Sequence, residues 1–420
     1  MKSVDSLSPL ANELLRRIDF FERVVGAFEV QRVVETHISL LLIGSSLTLK
    51  FKKPVDLGFV CYRTLEDRWR CAVNEVLLNR RLSTHVYRGV LPIRSEGRID
   101  PLTDLLPTPI LQAQPQMSEV AVVMNTYDEE QLLSSKLHTD SSDIEQCIVA
   151  VANRLATFHQ SPGVKAIPSL VPSIAELAST VQDNILELQK AHRPVLSDAE
   201  SAALAIVSSY TNSFFEHRRV MLEERIRNEH IVDGHGDLRA EHVCFFESDV
   251  DCLDCVEFNQ SIRTIDVLND IAFLKMDLDF LGRPDVARAF IEAYAKASME
   301  LVPRELLNFY ACYRSMVRAK VDALTADSVR NEAPASRSEE AGGLSRRARH
   351  LGLAARYALA IDFSWVVAVT GLMGSGKSTF ARYLQGITDA QLLQSDHLRG
   401  ALFPVSGRNE AFGHGKYSDQ

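Results

Sequence analysis

The feature that most constrains this 420-residue chain is a glycine-rich octapeptide, Gly-Leu-Met-Gly-Ser-Gly-Lys-Ser, at residues 371–378. An apolar run over 365–370 precedes it and a helical pattern follows it, so we expect a strand, a tight loop and a helix in succession. Gly371, Gly374 and Gly376 allow the loop to turn sharply with its backbone N–H groups pointing inward. A loop of this kind binds a phosphate group, and the spacing is the P-loop pattern of nucleotide-binding proteins.

Side chains next to this loop suit the same ligand. We predict that Lys377 reaches the β- and γ-phosphates, that the Ser378 hydroxyl ligates Mg²⁺, and that the backbone around Ser375 wraps the phosphate. The helix that begins near Thr379 would point its positive N-terminus at the anion. The octapeptide therefore predicts a site for ATP or GTP near the C-terminal end of the chain.

A second short motif follows one predicted strand later, where Asp396 and Arg399 lie one helical turn apart. It resembles the acceptor-binding Asp-x-x-Arg element of small P-loop kinases that act on metabolites. The resemblance implies that Asp396 is a catalytic residue that accepts the proton of a substrate hydroxyl. Only 50 residues run from Gly371 to Gln420, too few to bury a doubly wound core. We therefore expect an incomplete α/β P-loop NTPase domain, through truncation or, alternatively, through degeneracy.

Hydrophobic periodicity and turn residues divide the rest of the chain into two parts. The first part is rich in short β-strands, and the second is mostly helical apart from one β-hairpin. A stretch of small and polar residues without apolar periodicity then predicts a linker before the P-loop region. The predicted elements are a helix over 11–36, a hairpin over 38–51, a helix over 65–82, a strand over 119–124, helices over 141–228 interrupted at 161–172, a hairpin over 242–258, helices over 264–327 and the linker over 328–347.

Composition argues against several classes of function. The formal net charge is −9 and the chain has no basic block, so neither nucleic-acid binding nor membrane binding is expected. No apolar stretch is long enough to span a membrane, and residues 1–20 lack the apolar core of a signal peptide. The seven cysteines are scattered, and Cys252 and Cys255 lack the second pair that a zinc site needs. We therefore predict a cytoplasmic protein with reduced thiols.

Chemically active residues gather around the second predicted hairpin. The segment from His235 to His242 reads His-Gly-Asp-Leu-Arg-Ala-Glu-His, and Asp254 and Glu257 follow in the second strand. This spacing resembles the catalytic loop of aminoglycoside phosphotransferase-like kinases, in which Asn stands five residues after His-Gly-Asp and a metal-binding Asp follows a hairpin. The resemblance implies that His235 and Asp237 belong to the catalytic group, with Asp237 as the base, and that Asp254 binds Mg²⁺.

One departure from that pattern concerns the second magnesium position. His242 stands where the family has asparagine, and an imidazole is a poor ligand for Mg²⁺, which prefers oxygen. Glu257 could compensate as a ligand, the site could hold one metal ion with His242 at its edge, or phosphoryl transfer could be lost. Arg239, two residues after Asp237, would either bind a phosphate or neutralise the base.

Other residues follow in the order that this family requires. Lys50 and Lys52 share one face of a predicted strand, and the resemblance implies that one of them contacts the α- and β-phosphates of ATP. Glu75 on the next predicted helix is the expected ion-pair partner. Asp266 and Asp270 are expected to hold the loop after the metal-binding strand.

Taken together, the motifs resemble two-part proteins in which an aminoglycoside phosphotransferase-like domain is fused to a P-loop kinase-like ATPase domain. The resemblance implies an α+β, protein-kinase-like, two-lobed fold over residues 1–327, with an N-lobe at about 30–127 and a C-lobe at about 128–327. The linker at 328–347 would connect it to a partial α/β P-loop domain at 348–420.

Two functions are compatible with these motifs. The first is an ATP- and Mg²⁺-dependent phosphotransferase acting on a hydroxyl of a small molecule, with a second nucleotide site at the P-loop. The alternative is a nucleotide-binding regulator without kinase chemistry, which the histidine at position 242 and the short C-terminal part favour. Neither the acceptor nor the oligomeric state follows from the sequence.

Overall fold

The computed structural model describes most of the chain in several stretches. Side chains are described for these residues apart from 94 and 327–344. The described residues are 30–36, 38–56, 58, 60–94, 117–137, 143–190, 195–247, 249–332, 337–359, 367–372, 374–387 and 392–394.

The N-terminal unit is built on a five-stranded antiparallel sheet with the order β1–β2–β3–β5–β4. The predicted hairpin over 38–51 is confirmed as β2 and β3, and the predicted strand over 119–124 lies within β5. The strand β4 was missing from the sequence prediction. The strands are β1 (Val30–Glu35), β2 (Ser39–Gly44), β3 (Leu47–Lys52), β4 (Tyr87–Arg94) and β5 (Met117–Asn125).

One helix, α1 (Leu65–Asn79), covers a face of this sheet. It begins at a capping box in which the Thr64 hydroxyl accepts the Asp67 N–H at 3.1 Å and the Asp67 carboxylate accepts the Thr64 N–H at 3.4 Å. The buried face of α1 includes Trp69 and Val73, which join a core with Val120 and Val122 of β5. Burial of this apolar face fixes α1 against the sheet and thereby sets the position of Glu75.

The C-terminal unit is mainly helical and packs around one large apolar core. Two short two-stranded ribbons, β6–β9 and β7–β8, lie at its edge and carry the segments that the sequence marks as catalytic. Its elements are α2 (Ile144–Gln160), α3 (Ile174–Gln189), α4 (Asp198–His217), α5 (Arg219–Arg227), β6 (Ile231–Asp233), β7 (Val243–Phe246), β8 (Asp249–Cys252), β9 (Thr264–Asp266), α6 (Val267–Phe280), α7 (Pro284–Ser298), α8 (Arg304–Glu332) and α9 (Arg337–Leu359).

Two sequence-based boundaries are corrected by the strands. The helix predicted over 11–36 is wrong for Val30–Glu35, which form β1 and pair with β2, because a neighbouring strand satisfies the backbone of these valine-rich residues. Residues 11–29 lie outside the described residues. The hairpin over 242–258 is present, but its second strand is Asp249–Cys252, so Asp254 and Glu257, which were expected in that strand, lie beyond its end.

The linker predicted over 328–347 is also wrong in its described part. Helix α8 runs to Glu332 and α9 begins at Arg337, and the two helices pack against each other. Leu351, Ala354 and Ala355 of α9 are buried in the same core as α6. Arg347, the last residue of the predicted linker, is buried and lies 2.8 Å from Glu200 of α4, so this end of the stretch packs against the helical unit. The C-terminal unit therefore extends through α9 to residue 359.

Beyond this point the described residues form one helix, α10 (Lys377–Ile387), after the glycine-rich loop. The predicted strand over 365–370 is absent from its described part, residues 367–370, and the Val367 and Leu372 side chains are exposed. Without a neighbouring strand to pair with, the apolar run has no ladder to join. Within the described part of the chain, no helix is long and apolar enough to cross a membrane.

Candidate active site

The two lysines of β3 meet one carboxylate on α1. Lys50 Nζ lies 2.8 Å from Glu75 Oε1, and Lys52 Nζ lies 2.7 Å from Glu75 Oε2. Glu75 is fully buried, and although burial alone would raise its pKa, Lys50 and Lys52 lower it. The expected ion pair is thus present twice, because a strand places alternate side chains on one face.

Each lysine also reaches a second carboxylate beyond the hairpin β7–β8. Lys50 Nζ lies 2.6 Å from Asp254 Oδ1, while Lys52 Nζ contacts Glu257 Oε1, which also accepts the Tyr62 hydroxyl at 2.7 Å. Burial by itself would lower the pKa of Lys50, but Asp254, Glu75 and smaller contributions together outweigh it and raise the pKa well above its usual value. Both lysines therefore remain cationic and connect the sheet to the segment 254–257.

These contacts separate the roles of the two lysines. The Lys52 side chain is almost wholly buried, and its amino group lies over the Tyr62 ring, 5.0 Å from the centroid. The Lys50 side chain is 13% exposed and lies next to Asp254, so it is the lysine that can contact a phosphate. Glu257 is engaged by Lys52 and Tyr62, which makes it an anchor for Lys52 instead of the metal ligand expected from the sequence.

Asp270 of α6 holds the catalytic-loop segment in place through hydrogen bonds. Its carboxylate accepts the backbone N–H of His235 at 2.7 Å and that of Gly236 at 3.0 Å, and it lies 3.2 Å from His159 Nε2. Burial alone would raise the pKa of Asp270, but its hydrogen bond from His159 and these other contacts lower it. Asp270 thus holds the catalytic loop, whereas the sequence prediction assigned it to a later loop.

His235 positions this loop and does not reach the protein surface. Its side chain is fully buried, and Nε2 lies 2.8 Å from the Leu253 carbonyl oxygen, so Nε2 carries the proton and Nδ1 accepts the Asp237 N–H at 3.3 Å. Burial lowers the pKa of His235 to about 4, so the ring is neutral near pH 7. The catalytic role expected for His235 is therefore corrected to a structural one.

Three residues form the centre of the site. His242 Nδ1 lies 3.8 Å from Asp237 Oδ2, and His242 Nε2 lies 4.0 Å from Asp254 Oδ2. One imidazole therefore lies between the two carboxylates. Nδ1 also lies 2.7 Å from the Asp237 carbonyl oxygen, so Nδ1 carries a proton and donates to it. The structure thus brings together Asp237, His242 and Asp254 at the point where the sequence places the base and the metal ligand.

Both carboxylates of this centre are held in the ionised form. Burial alone would raise the pKa of Asp237, but Arg239, with smaller effects of His242 and Arg318, lowers it well below the usual range. For Asp254 burial is likewise outweighed, mainly by Lys50 and His242, and its pKa is lowered too. Two carboxylates that stay charged near pH 7 can accept a proton in one case and bind a cation in the other.

Asp254 sits on a strained backbone. Its φ is +62°, in the left-handed region that few residues other than glycine occupy. Its N–H donates to the Tyr87 hydroxyl at 3.1 Å, and Lys50 holds its side chain. A conformation of this kind costs about 1 kcal/mol or more. The surrounding contacts hold the carboxylate beside Lys50 and His242. Strain at this position accords with a functional role for the side chain.

The donor set has to be compared with the needs of a magnesium ion. The half-exposed Asp254 carboxylate and the Asp237 carboxylate supply the hard oxygen ligands that Mg²⁺ prefers. His242 supplies none, because its donated Nδ1–H faces Asp237 and a nitrogen suits Mg²⁺ poorly. These residues fit a single magnesium ion bound through Asp254 better than a pair of ions.

A different group of potential metal ligands occurs elsewhere in the described residues, where atoms of His85, Asp249 and Asp251 lie within 4.8 Å of one another. Asp251 is fully buried and already accepts the Ser83 hydroxyl at 2.7 Å and the N–H groups of Thr84 and His85 at 3.1 and 2.9 Å. This carboxylate ties the segment before β4 to the hairpin β7–β8, and hydrogen bonding accounts for its position without a metal.

An open groove of about 520 Å³ lies elsewhere on the described part of the chain, away from the residues of the candidate active site. It is bordered by residues of α3, α4 and α5, among them Ile174, Phe215 and Ile226. None of the residues of the catalytic loop or of β3 borders it. The candidate active site is therefore identified by charged side chains that converge on one point and shift each other's pKa values. The size of the groove plays no part in this assignment.

The P-loop residues lie in a separate part of the described chain. Gly371, Gly374 and Gly376 all have positive φ, at 153°, 81° and 82°, as a loop that turns around a phosphate requires. The Lys377 amino group donates to the carbonyl oxygens of Gly371 at 2.7 Å and Leu372 at 2.5 Å. Ser375, Ser378 and Thr379 lie in the loop and in the first turn of α10, and Asp396 lies outside the described residues.

Sequence reasoning missed several residues that shape the site. Tyr62 and Tyr87 orient Glu257 and the backbone of Asp254, and Arg314 of α8 donates to the Gly236 carbonyl oxygen at 3.3 Å. No motif marks any of them, because they contact the site from distant elements. Their contribution depends on packing that only the folded chain supplies.

The sheet order, the Lys50–Glu75 ion pair and the convergence of Asp237 with Asp254 define a kinase-like α+β fold. No family model matches the chain. Two curated mycobacterial relatives are the uncharacterized protein Rv2004c of Mycobacterium tuberculosis and the uncharacterized protein Mb2027c of Mycobacterium bovis. Each is 31% identical over 372 residues, which is 88% of this chain and 68% of the relative. The chain belongs to the family of these mycobacterial proteins.

Several solved structures are similar in fold. They include APH(2")-IIia in complex with GDP and kanamycin (10% identity, TM-score 0.49, 80% of this chain and 98% of that one). A choline/ethanolamine kinase family protein from Mesorhizobium loti follows (12%, 0.47, 82% and 98%), as does an ethanolamine kinase of Plasmodium vivax (11%, 0.44, 83% and 95%). At these identities and TM-scores the similarities identify no substrate, so the assignment of roles depends on this chain's own residues.

Proposed function

We propose that the chain is an ATP-dependent phosphotransferase that transfers a phosphoryl group to a hydroxyl of a small molecule. The observation that carries this proposal is the position of two ionised carboxylates, Asp237 and Asp254, within 3.8 and 4.0 Å of the two nitrogens of His242. The Lys50–Glu75 ion pair lies directly beside Asp254. A base, a cation-binding carboxylate and a phosphate-binding lysine are the groups that phosphoryl transfer requires.

The proposed reaction is a displacement at the terminal phosphorus of ATP. The hydroxyl oxygen of the acceptor forms the new P–O bond while the bond to the bridging oxygen of ADP breaks, and the hydroxyl proton passes to Asp237. Lys50 would hold the α- and β-phosphates, and its pairing with Glu75 fixes the direction of its amino group. Catalysis of this type comes from positioning and charge neutralisation and needs no covalent intermediate on the protein.

Asp254 would hold a magnesium ion at this site. Magnesium supplies neutralisation of the phosphate charges when it is bound. The half-exposed carboxylate of Asp254 and the low pKa that Lys50 and His242 give it keep the ligand anionic near pH 7. Asp237 then remains the group that orients the acceptor.

The glycine-rich loop would form a second nucleotide site. Lys377 would exchange its contacts with Gly371 and Leu372 for the outer phosphates of ATP, and Ser378 would ligate the accompanying magnesium ion. The positive φ values of the three loop glycines support this proposal. With Asp396 as its acceptor-binding residue, the site would be a second phosphotransferase or an ATPase.

A regulatory protein that binds nucleotide without kinase chemistry is a second candidate, and one contact favours it. Arg239 Nε and Nη2 lie 3.3 and 3.1 Å from Asp237 Oδ2. A guanidinium on the base weakens its ability to accept a proton, because the lowered pKa of Asp237 reduces its basicity. The regulator reading predicts ATP binding with little turnover.

Magnesium-dependent ATP turnover by the purified chain distinguishes these functions. We expect Asp237→Asn to lower turnover strongly if the kinase-like site is active, and Lys377→Ala to lower it only if the P-loop contributes. Loss in Asp237→Asn alone would place the chemistry in the kinase-like site. Loss in Lys377→Ala alone would contradict the proposal and make the P-loop the site of hydrolysis. Binding without turnover in the unsubstituted chain would establish the regulator.

A further inference from the structure

Helix α8 brings two arginines to the catalytic loop, one helical turn apart. Arg314 is 3% exposed, donates to the Asn269 side chain at 2.8 Å and to the Gly236 carbonyl oxygen at 3.3 Å, and stacks on the Phe273 ring. Its Nη2 is buried and has no hydrogen-bond partner among the described residues. Arg318 follows four residues later on the same face. Arg314 therefore positions the loop, and Arg318 lies beyond it.

Arg318 differs from its neighbour because its charge is not matched by a close partner. Among the described residues its guanidinium makes no hydrogen bond and no ion pair, although it is only partly exposed. Burial, and then the charge of Arg239, lower the pKa of Arg318, with Asp237 opposing them. Two guanidinium groups thus lie near the catalytic base at a cost in repulsion and desolvation.

The acidic groups nearby have other partners and form no close pair with Arg318 among the described residues. Asp322, one turn further along α8, acts on Arg318 electrostatically but lies 2.8 Å from His350 Nδ1. Glu241 is engaged by Arg239 through a short contact and is half exposed. Asp277 accepts the Ala240 N–H at 2.8 Å, and burial raises its pKa, so it carries less negative charge than an exposed aspartate would. Asp237 is already contacted by Arg239. Arg318 is left as a partly buried cation close enough to the base to lower the pKa of Asp237.

From this arrangement we propose that the acceptor whose hydroxyl proton passes to Asp237 is an anionic alcohol, a hydroxyl compound with a phosphate or carboxylate group that Arg318 and Arg239 bind. This inference rests on the proposed function and specifies its substrate class. An oxyanion between the two guanidinium groups would offset their repulsion and pair Arg318, whereas a cationic acceptor would meet the same groups unfavourably. Binding the anion would also draw Arg239 away from Asp237 and free the base for the hydroxyl.

The test measures anion binding separately from catalysis. Inorganic phosphate and acetate are titrated into the full chain carrying Lys377→Ala, so that the P-loop does not contribute, and binding is followed by phosphorus NMR and by calorimetry. In this background Arg318→Gln should weaken binding of the preferred anion by about ten- to a hundredfold, the range expected when a charge-assisted contact is lost. Arg318→Lys should restore part of it, and Arg288→Gln, an exposed arginine of α7, should have no effect.

The outcomes are distinct. Equal binding by the Arg318→Gln and Arg288→Gln chains, or no binding in the Lys377→Ala background, would overturn the inference. An unchanged melting temperature in Arg318→Gln would exclude unfolding as the cause of a loss. Phosphate binding without acetate binding would identify a phosphorylated acceptor, and the reverse a carboxylate.

Turnover of matched acceptors then separates the two proposals. The acceptors compared are glycerol, ethanolamine, glycerol 3-phosphate and glycerate. Each offers a hydroxyl group, and beside it glycerol is neutral, ethanolamine is cationic, glycerol 3-phosphate carries a phosphate and glycerate carries a carboxylate. Turnover stimulated by ethanolamine or glycerol but by neither anion would refute the anionic acceptor and leave the phosphotransferase standing. Anion binding at Arg318 in a chain without any phosphoryl transfer would refute the phosphotransferase and leave the anion site standing.

Discussion

The carboxylate of Asp270 offers a quantitative test of how the catalytic loop is held. It accepts two backbone N–H groups, from His235 and Gly236, and is bonded to His159 within a fully buried environment. Replacement of Asp270 by Asn keeps the size and one acceptor oxygen. The new NH₂ group must then face one of the backbone N–H donors or the His159 ring. The variant therefore removes charge and reverses one hydrogen bond without creating a cavity.

The cost follows from these contacts. One buried N–H left without an acceptor costs about 1–3 kcal/mol, and the remaining bonds lose the strength that a charged acceptor gives them. We expect Asp270→Asn to lower the free energy of unfolding by about 3 kcal/mol at pH 7. Because the loop carries Asp237, we also expect the variant to lower any turnover that depends on Asp237.

The effect should depend on pH in a defined direction. Burial alone would raise the pKa of Asp270, but the His159 hydrogen bond and the other contacts lower it below its unfolded value. A depressed carboxyl pKa contributes stability that is fully present above the unfolded pKa of about 4 and is lost as pH falls through the folded pKa. The difference between the original chain and Asp270→Asn should therefore shrink below about pH 4.

Urea unfolding followed by circular dichroism at pH 7 and at pH 3 measures both quantities. Asp285→Asn is the matched control, since the Asp285 carboxylate is exposed and pairs with Arg283 at the surface, and its change should stay within about 0.5 kcal/mol. A difference below about 1 kcal/mol at pH 7, or one that grows at low pH, would refute the assignment of Asp270 as the anionic anchor of the loop.

Three further predictions test other parts of the site. Lys52→Met should lower the free energy of unfolding by about 3 kcal/mol, because it leaves buried Glu257 without a cation and Glu75 with only one. Lys50→Met should mainly weaken ATP binding. Urea unfolding and nucleotide titration compare the two variants, and the reverse pattern would contradict their roles. His242→Asn should raise magnesium-dependent turnover several-fold by replacing an imidazole with an oxygen ligand, and an unchanged rate across magnesium concentrations would count against that reading. A chain ending at residue 359 should unfold cooperatively. A chain ending at residue 327 should not, because it loses helix α9 of the core. Equal melting curves for the two chains would support the linker predicted over 328–347.

Several parts of the fold could be predicted from the sequence because they depend on local patterns. The hairpin of β2 and β3 follows from two β-rich runs around Ser45-Ser46, and the strand near residue 120 follows from a continuous apolar run. The helix α1 follows from the pattern that predicts a helix over 65–82. Strand β4 and the helix α9 could not be predicted in this way. Their residues gain a strand partner or a buried face only from segments distant in the chain.

The candidate site shows the same division. The resemblance to aminoglycoside phosphotransferase-like kinases selected Asp237, Asp254 and Glu75, because it rests on residue types and their order along the chain. The engagement of Glu257 by Lys52 and Tyr62, the burial of His235 and the approach of Arg318 to the base depend on contacts between elements far apart. Those contacts changed two expected roles and added Arg318, to which the sequence assigned no role.

The sequence by itself determined the types of chemical group in this protein and their order, since residue identity and short-range spacing are properties of the chain. It determined the glycines of the glycine-rich loop, the His-Gly-Asp segment and the two lysines on one strand face. Only the tertiary structure decided which lysine is accessible, that one imidazole separates the two carboxylates, and that α9 belongs to the core. The physical reason is that burial and electrostatic pairing arise between segments that folding brings together, and neither has a value until the chain has folded.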